Sequence, residues 1–329
     1  MSANDSRYVG VDVGGTWVKA ALVTFAGEIE RFSEALTAPA GGDSLIGQIV
    51  TLAHDLTVEA EARGKTVAGV GVVTPGAIDI RSGVVVGKCP NIPDWQGQPL
   101  GRKLSCELGM NVFIDNDARG MALGELRFGA ARGAGSALCV TVGTGIGGAI
   151  IIDGKVWHGA SFTAGEIGHL CVQLDGEMCK CGLKGCLETV AATPAIQRRA
   201  RERIGVKPGV ILSSALREAG ESVETVSIAT LFRAAKLGDQ VCRGALDLSA
   251  AILGQALGGL ANVLDPELVL VGGGVADASD SYVREIGIAL RASSLPTVSS
   301  RVIVRRAALG NQAGCVGAAA LAMPIDESK

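Results

Sequence analysis

His169, Cys179, Cys181 and Cys186 fall within residues 165–188, which read GEIGHLCVQLDGEMCKCGLKGCLE, with Glu166 and Glu188 near the two ends. Thiolate and imidazole together suit a borderline-soft, tetrahedral ion, and three cysteines with one histidine form a closed zinc shell. The Cys-Lys-Cys step followed by Gly-Leu-Lys-Gly-Cys supplies tight turns, where glycines let the backbone fold round one ion. Such turns also let a loop set two carboxylates beside a polar ligand. The competing reading is three buried or redox-active cysteines in a loop; the residue set favours zinc.

Three glycine clusters that follow strands form a second constellation: Asp12-Val13-Gly14-Gly15-Thr16, Gly143-Thr144-Gly145-Ile146-Gly147-Gly148 and Gly272-Gly273-Gly274. Backbone N–H groups without side-chain cover can ring phosphate oxygens. Thr16 or Thr144 adds a hydroxyl donor, and Lys19 adds charge. Residues 143–148 satisfy G-x-G-x-x-G, but a dinucleotide fold needs a helix next, and residues 149–154 (AIIIDG) read as strand and turn. No G-x-x-x-x-G-K-[ST] occurs, so a P-loop is excluded as well. One such cluster is commonly a plain turn. Three of them, two in repeated units, point to phosphate.

Asp117 is the candidate base. It ends an Asp-Asn-Asp run between a strand and a helix. Asp115 or Asn116 can cap that helix, but three such residues exceed what a cap requires. A carboxylate beside a sugar hydroxyl can orient it and accept its proton as the phosphorus–oxygen bond develops.

The elements that must position these groups follow from apolar periodicity and punctuation. Strands are expected at 8–13 and 18–25, with a third after Gly27-Glu28, then a helix over 43–63 and a strand over 67–73 closed by Thr74-Pro75-Gly76. Segments 83–86 and 91–95, a helix near 100–108, a strand at 111–114 and a helix over 118–128 follow. Residues 137–154 then repeat the opening: strand, glycine turn, strand (149–152), turn. A duplicated unit implies two similar lobes. Helices are expected at 189–203, 209–219, 227–236, 239–264 and near 279–291, strands at 268–271 and 302–304, and a terminal helix from Ala313.

The bulk numbers agree. A chain of 329 residues exceeds one ordinary hydrophobic core. Glycine, 47 of 329, is about twice its usual share and lies in clusters rather than low-complexity runs. A net charge of −3 with no basic run argues against a nucleic-acid or anionic-membrane partner. Nine cysteines, an odd count with three in a metal-like cluster, suit a reducing cytoplasm rather than a disulfide framework. The other six (Cys89, Cys106, Cys139, Cys171, Cys242, Cys315) are expected mostly in apolar surroundings. The N-terminus lacks a signal pattern. The apolar stretch at 250–264 carries Gln255 and Asn262 and reads as a buried helix, not a membrane span.

Together these segments resemble the ROK family of sugar kinases, within the actin-like, hexokinase-type ATPase superfamily, from Asp12 to Ala319. Asp12-Val13-Gly14-Gly15-Thr16 resembles the first phosphate motif, 143–148 the second, and Leu270-Val271-Gly272-Gly273-Gly274 the turn beside the adenosine. Thr74-Pro75-Gly76, Asn91 and Asn116-Asp117 match sugar-binding positions. Gly165-Glu166-Ile167-Gly168-His169 and Cys179-x-Cys181-Gly182-x-x-Gly185-Cys186-x-Glu188 match the family's zinc and sugar signature, the most specific of these patterns.

The resemblance implies an α/β fold of the two-lobed actin-like ATPase type, a duplicated ribonuclease H-like unit with the ligand cleft between lobes. One lobe would comprise 1–117 with 308–329 and the other 118–307. It implies ATP-dependent phosphorylation of a hexose, foremost glucose at its 6-hydroxyl, with Asp117 as base. Gly76, Asn91, Asn116, Asp117, Glu166, His169 and Glu188 would bind the sugar. Asp12, Gly14, Gly15, Thr16, Lys19, Gly143, Thr144, Gly145, Gly147, Gly148, Gly272 and Gly273 would bind ATP. Asp12 would hold Mg²⁺, and His169, Cys179, Cys181 and Cys186 a structural Zn²⁺. N-acetylmannosamine, N-acetylglucosamine, fructose and allose are alternative substrates, and a homodimer is implied. A sugar-sensing repressor shares the fold but carries a helix-turn-helix before its first phosphate strand, where only seven residues precede Tyr8 here. Two departures from the family pattern stand out: Arg119 replaces the usual Asn after Asp-Asn-Asp-Ala, bearing on substrate preference, and Ala149 follows Gly148 where a further Gly is common.

Overall fold

The computed structural model describes residues 6–205 and 208–324. The chain ends 1–5 and 325–329, assigned above to the first lobe, lie outside the described residues. The chain opens as an antiparallel meander of β1 (Ser6–Val13), β2 (Trp17–Thr24) and β3 (Ile29–Leu36), followed by α1 (Gly42–Ala62) and β4 (Thr66–Thr74). A small hairpin, β5 (Ile78–Asp79) with β6 (Val84–Val85), precedes α2 (Leu100–Leu108), β7 (Val112–Asn116) and α3 (Asp117–Phe128). Residues 91–95 form turns.

The second series runs β8 (Ala137–Val142), β9 (Ile146–Ile152), β10 (Lys155–Val156), α4 (Leu187–Ala191), α5 (Thr193–Ile204), α6 (Val210–Ala219), α7 (Ile228–Lys236) and α8 (Gln240–Leu264). It ends with β11 (Leu268–Gly272), α9 (Gly274–Ala278), α10 (Asp280–Ala292), α11 (Pro296–Ser299), β12 (Ile303–Arg306) and α12 (Ala313–Ala322). The single helix expected over 189–203 is two helices broken at Ala192, which is extended. Pro194 explains the break: it has no N–H to donate and its ring would clash with the carbonyl one turn back, so it sits in the first turn of α5. Helix α8 is long and apolar enough to cross a bilayer, yet 56% of its most apolar window is buried, as in a core helix.

The two five-stranded sheets have the orders β3-β2-β1-β4-β7 and β10-β9-β8-β11-β12. Each is a meander whose first-made strand continues into parallel partners, so the duplication read from the sequence is a duplication of topology. The chain forms two compact units: 1–135, 149–165 and 311–329 make the first, and 136–148 with 166–310 the second.

In the first unit, Val9, Val11 and Val13 of β1 bury one face against Leu45, Ile49 and Leu56 of α1. Tyr8 sends the other face to Cys315 and Ala319 of α12. Alternation along one strand thus builds two core layers. Helix α12 lies unusually close: a Cβ on Gly10 would meet the Cys315 carbonyl at 1.9 Å, and one on Gly71 the Ala318 carbonyl at 1.7 Å. No larger residue at either position is compatible with that packing. Of the six cysteines outside the cluster, Cys139, Cys242 and Cys315 are buried as expected, whereas Cys106 and Cys171 are exposed and Cys89 is half-buried.

Candidate active site

In the first unit the predicted residues collect at the carboxyl ends of parallel β1, β4 and β7, where open α/β sheets bind ligands. Asp12 pairs in register with Val73, and Thr74 with Asn116, so these strand ends are level. Asn116 caps α3, its Oδ1 accepting from Ala118 N at 3.0 Å and Arg119 N at 3.2 Å, while its Nδ2 donates to the Gly76 carbonyl at 3.2 Å. Gly76 holds φ at 96°, a region that suits glycine. The cap is therefore Asn116, and Asp117 is not needed for it.

Asp117 Oδ1 accepts a short local bond from Ala118 N at 2.8 Å in the first turn of α3, and the Asn116 side chain hydrogen-bonds the same carboxyl. Burial pushes its carboxyl above the ordinary range, against the Ala118 N–H and the Arg119 charge. Asp12 is raised to about 6, by burial first and then by the like charge of Asp117, with Lys19 opposing. Two carboxylates in one field, balanced by one lysine, leave an excess of negative charge that suits a hard divalent cation. Lys19, opposite Asp12 in the β1–β2 ladder, donates to Asn311 Oδ1. Gly15 and Thr16 are exposed at the β1–β2 turn, and a Cβ on Gly15 would lie 3.3 Å from Asn91 Cβ. Asn91 is exposed beside that turn.

Asp115 belongs to a different network. Its Oδ1 accepts from Arg119 Nε at 2.7 Å, and its Oδ2 lies 2.8 Å from His158 Nε2. Arg119 Nη1 donates to the Phe162 carbonyl at 3.0 Å. Residues His158, Asn311 and Gly314 were not legible as site neighbours. The rarity of histidine, three in the chain, and the small-residue start of α12 were the available signals. A Cβ on Gly314 would come within 2.3 Å of Asp12 Oδ2, so the start of α12 abuts that carboxylate.

In the second unit the glycine turns stand at the ends of parallel β8 and β11, where Gly272 pairs with Thr141. Residues 143–145 form the turn itself; Gly147 and Gly148, expected in it, already belong to β9. Their place in the ladder is set by the tight turn, in which Gly143 N donates to Gly145 O at 2.9 Å. Gly273 has φ 86°, and a Cβ there would lie 2.6 Å from the Val142 carbonyl. The two turns are thus neighbours, with Thr144 exposed between strand ends and the Gly143 carbonyl held by Thr193 N at 2.9 Å.

The metal-like cluster is in this unit as well. One ligand atom each from His169, Cys179, Cys181 and Cys186 lies within 4.8 Å of the others. Cys181 Sγ and Cys186 Sγ are 3.7 Å apart, as are Cys179 Sγ and His169 Nδ1. A tetrahedron with 2.3 Å zinc–sulfur bonds has edges of about 3.8 Å, so the set fits one zinc. Nδ1 faces the thiols, while Nε2 faces Glu166 Oε2 at 3.9 Å. Glu188 Oε1 accepts from Cys179 Sγ at 2.9 Å, and a Cβ on Gly145 would lie 2.9 Å from Glu188 Oε2. Glu188 therefore joins the cysteine loop to the glycine turn. Burial first, and Glu188 with it, pushes the Cys179 thiol far up. A divalent cation would reverse that balance.

Comparison with known proteins agrees with this geometry. The model of the ROK family matches residues 8–324. A glucokinase of Halalkalibacterium halodurans is 40% identical over 316 residues, covering 95% of this chain and 94% of its own. A ROK family glucokinase from Streptomyces griseus, solved in complex with glucose and AMPPNP, superposes with a TM-score of 0.84 at 33% identity, over 96% of this chain and 98% of that one. A ROK family transcriptional regulator, homologue of the Escherichia coli MLC protein, gives 0.83 at 26% identity, over 97% of this chain and 78% of its own.

Proposed function

The chain belongs to the ROK family and has its two-lobed actin-like ATPase fold, and from that premise we propose that it is a glucokinase, transferring the γ-phosphoryl group of ATP to the 6-hydroxyl of glucose. The observation that carries this reading is Asp117: a raised carboxylate beside Asn116 and Asp12, relieved of helix capping by its neighbour. Geometry of this kind leaves it free to orient a hydroxyl and take its proton.

The first unit supplies the base, with Asn116, Gly76 and Asn91 holding the sugar. In the second, Glu166, Glu188 and His169 Nε2 bind ring hydroxyls, and a zinc held by the cysteines and Nδ1 would fix the imidazole tautomer. Gly14, Gly15, Thr16 and Lys19, with Gly143, Thr144, Gly145, Gly147, Gly148, Gly272 and Gly273, cradle ATP. Asp12 is the residue for Mg²⁺, which when bound neutralises charge on the phosphates. Exclusion of water from the bound sugar protects the phosphoryl group from hydrolysis. With nine free cysteines the enzyme is assigned to the cytoplasm, and a homodimer is its proposed assembly.

The test is a panel of sugars assayed with ATP and Mg²⁺. Glucose should give the highest kcat/KM; a higher value for N-acetylmannosamine, N-acetylglucosamine, fructose or allose would move the substrate assignment while keeping the chemistry. Absence of turnover on every sugar, with sugar-dependent DNA binding instead, would favour the regulator reading.

A further inference from the structure

Cys171 lies outside the zinc-ligand set, yet it is paired to one of its members. Leu187 N donates to Leu170 O at 2.8 Å, and Val172 N donates to Gly185 O at 2.9 Å. These two bonds bracket an isolated antiparallel bridge between Cys171 and Cys186. A pair flanked in this way is the non-hydrogen-bonded kind, with Cα atoms about 4.5 Å apart and both side chains on one face. That spacing lies inside the window that a disulfide spans. The frame is also stiff: Gly185 has φ 71°, and a Cβ there would meet the Gln173 carbonyl at 1.7 Å. Cys171 is exposed, its Sγ 3.7 Å from the Gln173 carbonyl, whereas Cys186 is fully buried. One thiol is open to solvent, and the other is buried beside Cys181.

We propose that Cys171 is an oxidant-sensing thiol which forms a disulfide with Cys186 and so discharges the zinc. Hydrogen peroxide is the oxidant. The Cys171 thiolate attacks one peroxide oxygen, an S–O bond forms, the O–O bond breaks and hydroxide leaves as water after taking a proton. The Cys186 thiolate then attacks the Cys171 sulfur; the S–S bond forms, the S–O bond breaks and a second hydroxide departs. Two sulfurs lose two electrons and the peroxide gains them. Cys186 can no longer ligate, leaving His169, Cys179 and Cys181. His169 and Glu188 each stand two residues from a bridged cysteine, so sugar binding is lost with the metal. A dithiol reductant restores both thiols. The metal half of this inference rests on the zinc reading above; the disulfide does not.

The test treats the full-length, zinc-loaded protein with stoichiometric peroxide and reads zinc release with a chromogenic chelator, the cross-link by peptide mass spectrometry, and reversal by dithiothreitol. Wild type should link Cys171 to Cys186, and Cys171→Ser, with unchanged basal activity and zinc content, should release zinc at least about tenfold more slowly. A Cys181–Cys186 link in wild type, or equal zinc loss from Cys171→Ser, would overturn the proposal. A Cys171–Cys186 link in protein that purifies without zinc would support the pair and count against the zinc shell. A sugar panel on the same preparations separates either result from failure of the kinase assignment.

Discussion

Arg119 Nε donates to Asp115 Oδ1 at 2.7 Å, and both side chains are buried, one turn apart across the start of α3. The pair fixes that helix to the end of β7, immediately beside Asp117. Burial pushes the Asp115 carboxyl up, but the His158 hydrogen bond and the Arg119 charge outweigh it and hold the carboxyl below the usual range. Its contribution to stability is thus present above the unfolded carboxylate pKa and lost as pH falls through the lower folded value.

Removing one partner should strand the other. Arg119→Met is expected to cost about 3–5 kcal/mol, because Asp115 is left a buried charge with the Asn116 N–H and His158 but no guanidinium to oppose it. The double variant Asp115→Asn with Arg119→Met should recover a large part of that loss. Urea midpoints for the four proteins of this cycle give the coupling; additive effects would show that the pair does not act as a unit.

Asp117→Asn should lower kcat by roughly 10²–10⁴-fold while sugar affinity changes much less, since the base is removed and its shape kept. Asn116→Ala, in contrast, should cost about 1 kcal/mol of stability through the lost cap. Near wild-type kcat for purified Asp117→Asn would falsify the catalytic role.

Asp12 has the opposite linkage sign to Asp115. Its folded pKa of about 6 exceeds its ordinary value of 3.8. The metal-free folded state therefore binds more protons between those values, and its stability falls as pH rises through that window, by up to about 3 kcal/mol. Asp12→Asn should flatten this slope in pH-dependent denaturation. With the wild type, half-saturating Mg²⁺ should rise as pH drops below about 6, because the proton and the cation compete for one carboxylate.

Metal analysis should find about one zinc per chain, and Cys181→Ser should lower both zinc content and thermal stability. Full zinc occupancy and unchanged melting in that variant would remove Cys181 from the ligand set.

The sequence by itself determined the fold class, the repeated meander, the strand-end positions of the glycine turns and the membership of the cysteine cluster. Each rests on local pattern: period-two burial along β1, glycine after a strand, and donor types suited to one ion at short spacing. Tertiary structure decided which polar residues are free. The linear reading makes Asp117 the candidate base but leaves the cap open between Asp115 and Asn116. Only the packed chain gives Asp115 to Arg119 and His158, gives Asn116 to the cap and Gly76, and gives Asp117 local bonds from its chain neighbours. The extension of β9 back to Ile146, the exposure of Cys171 opposite Cys186 and the grouping of 149–165 with the first unit were decided in the same way. These depend on partners distant in the chain, and pairing at that range is set by which surfaces meet once the cores have formed.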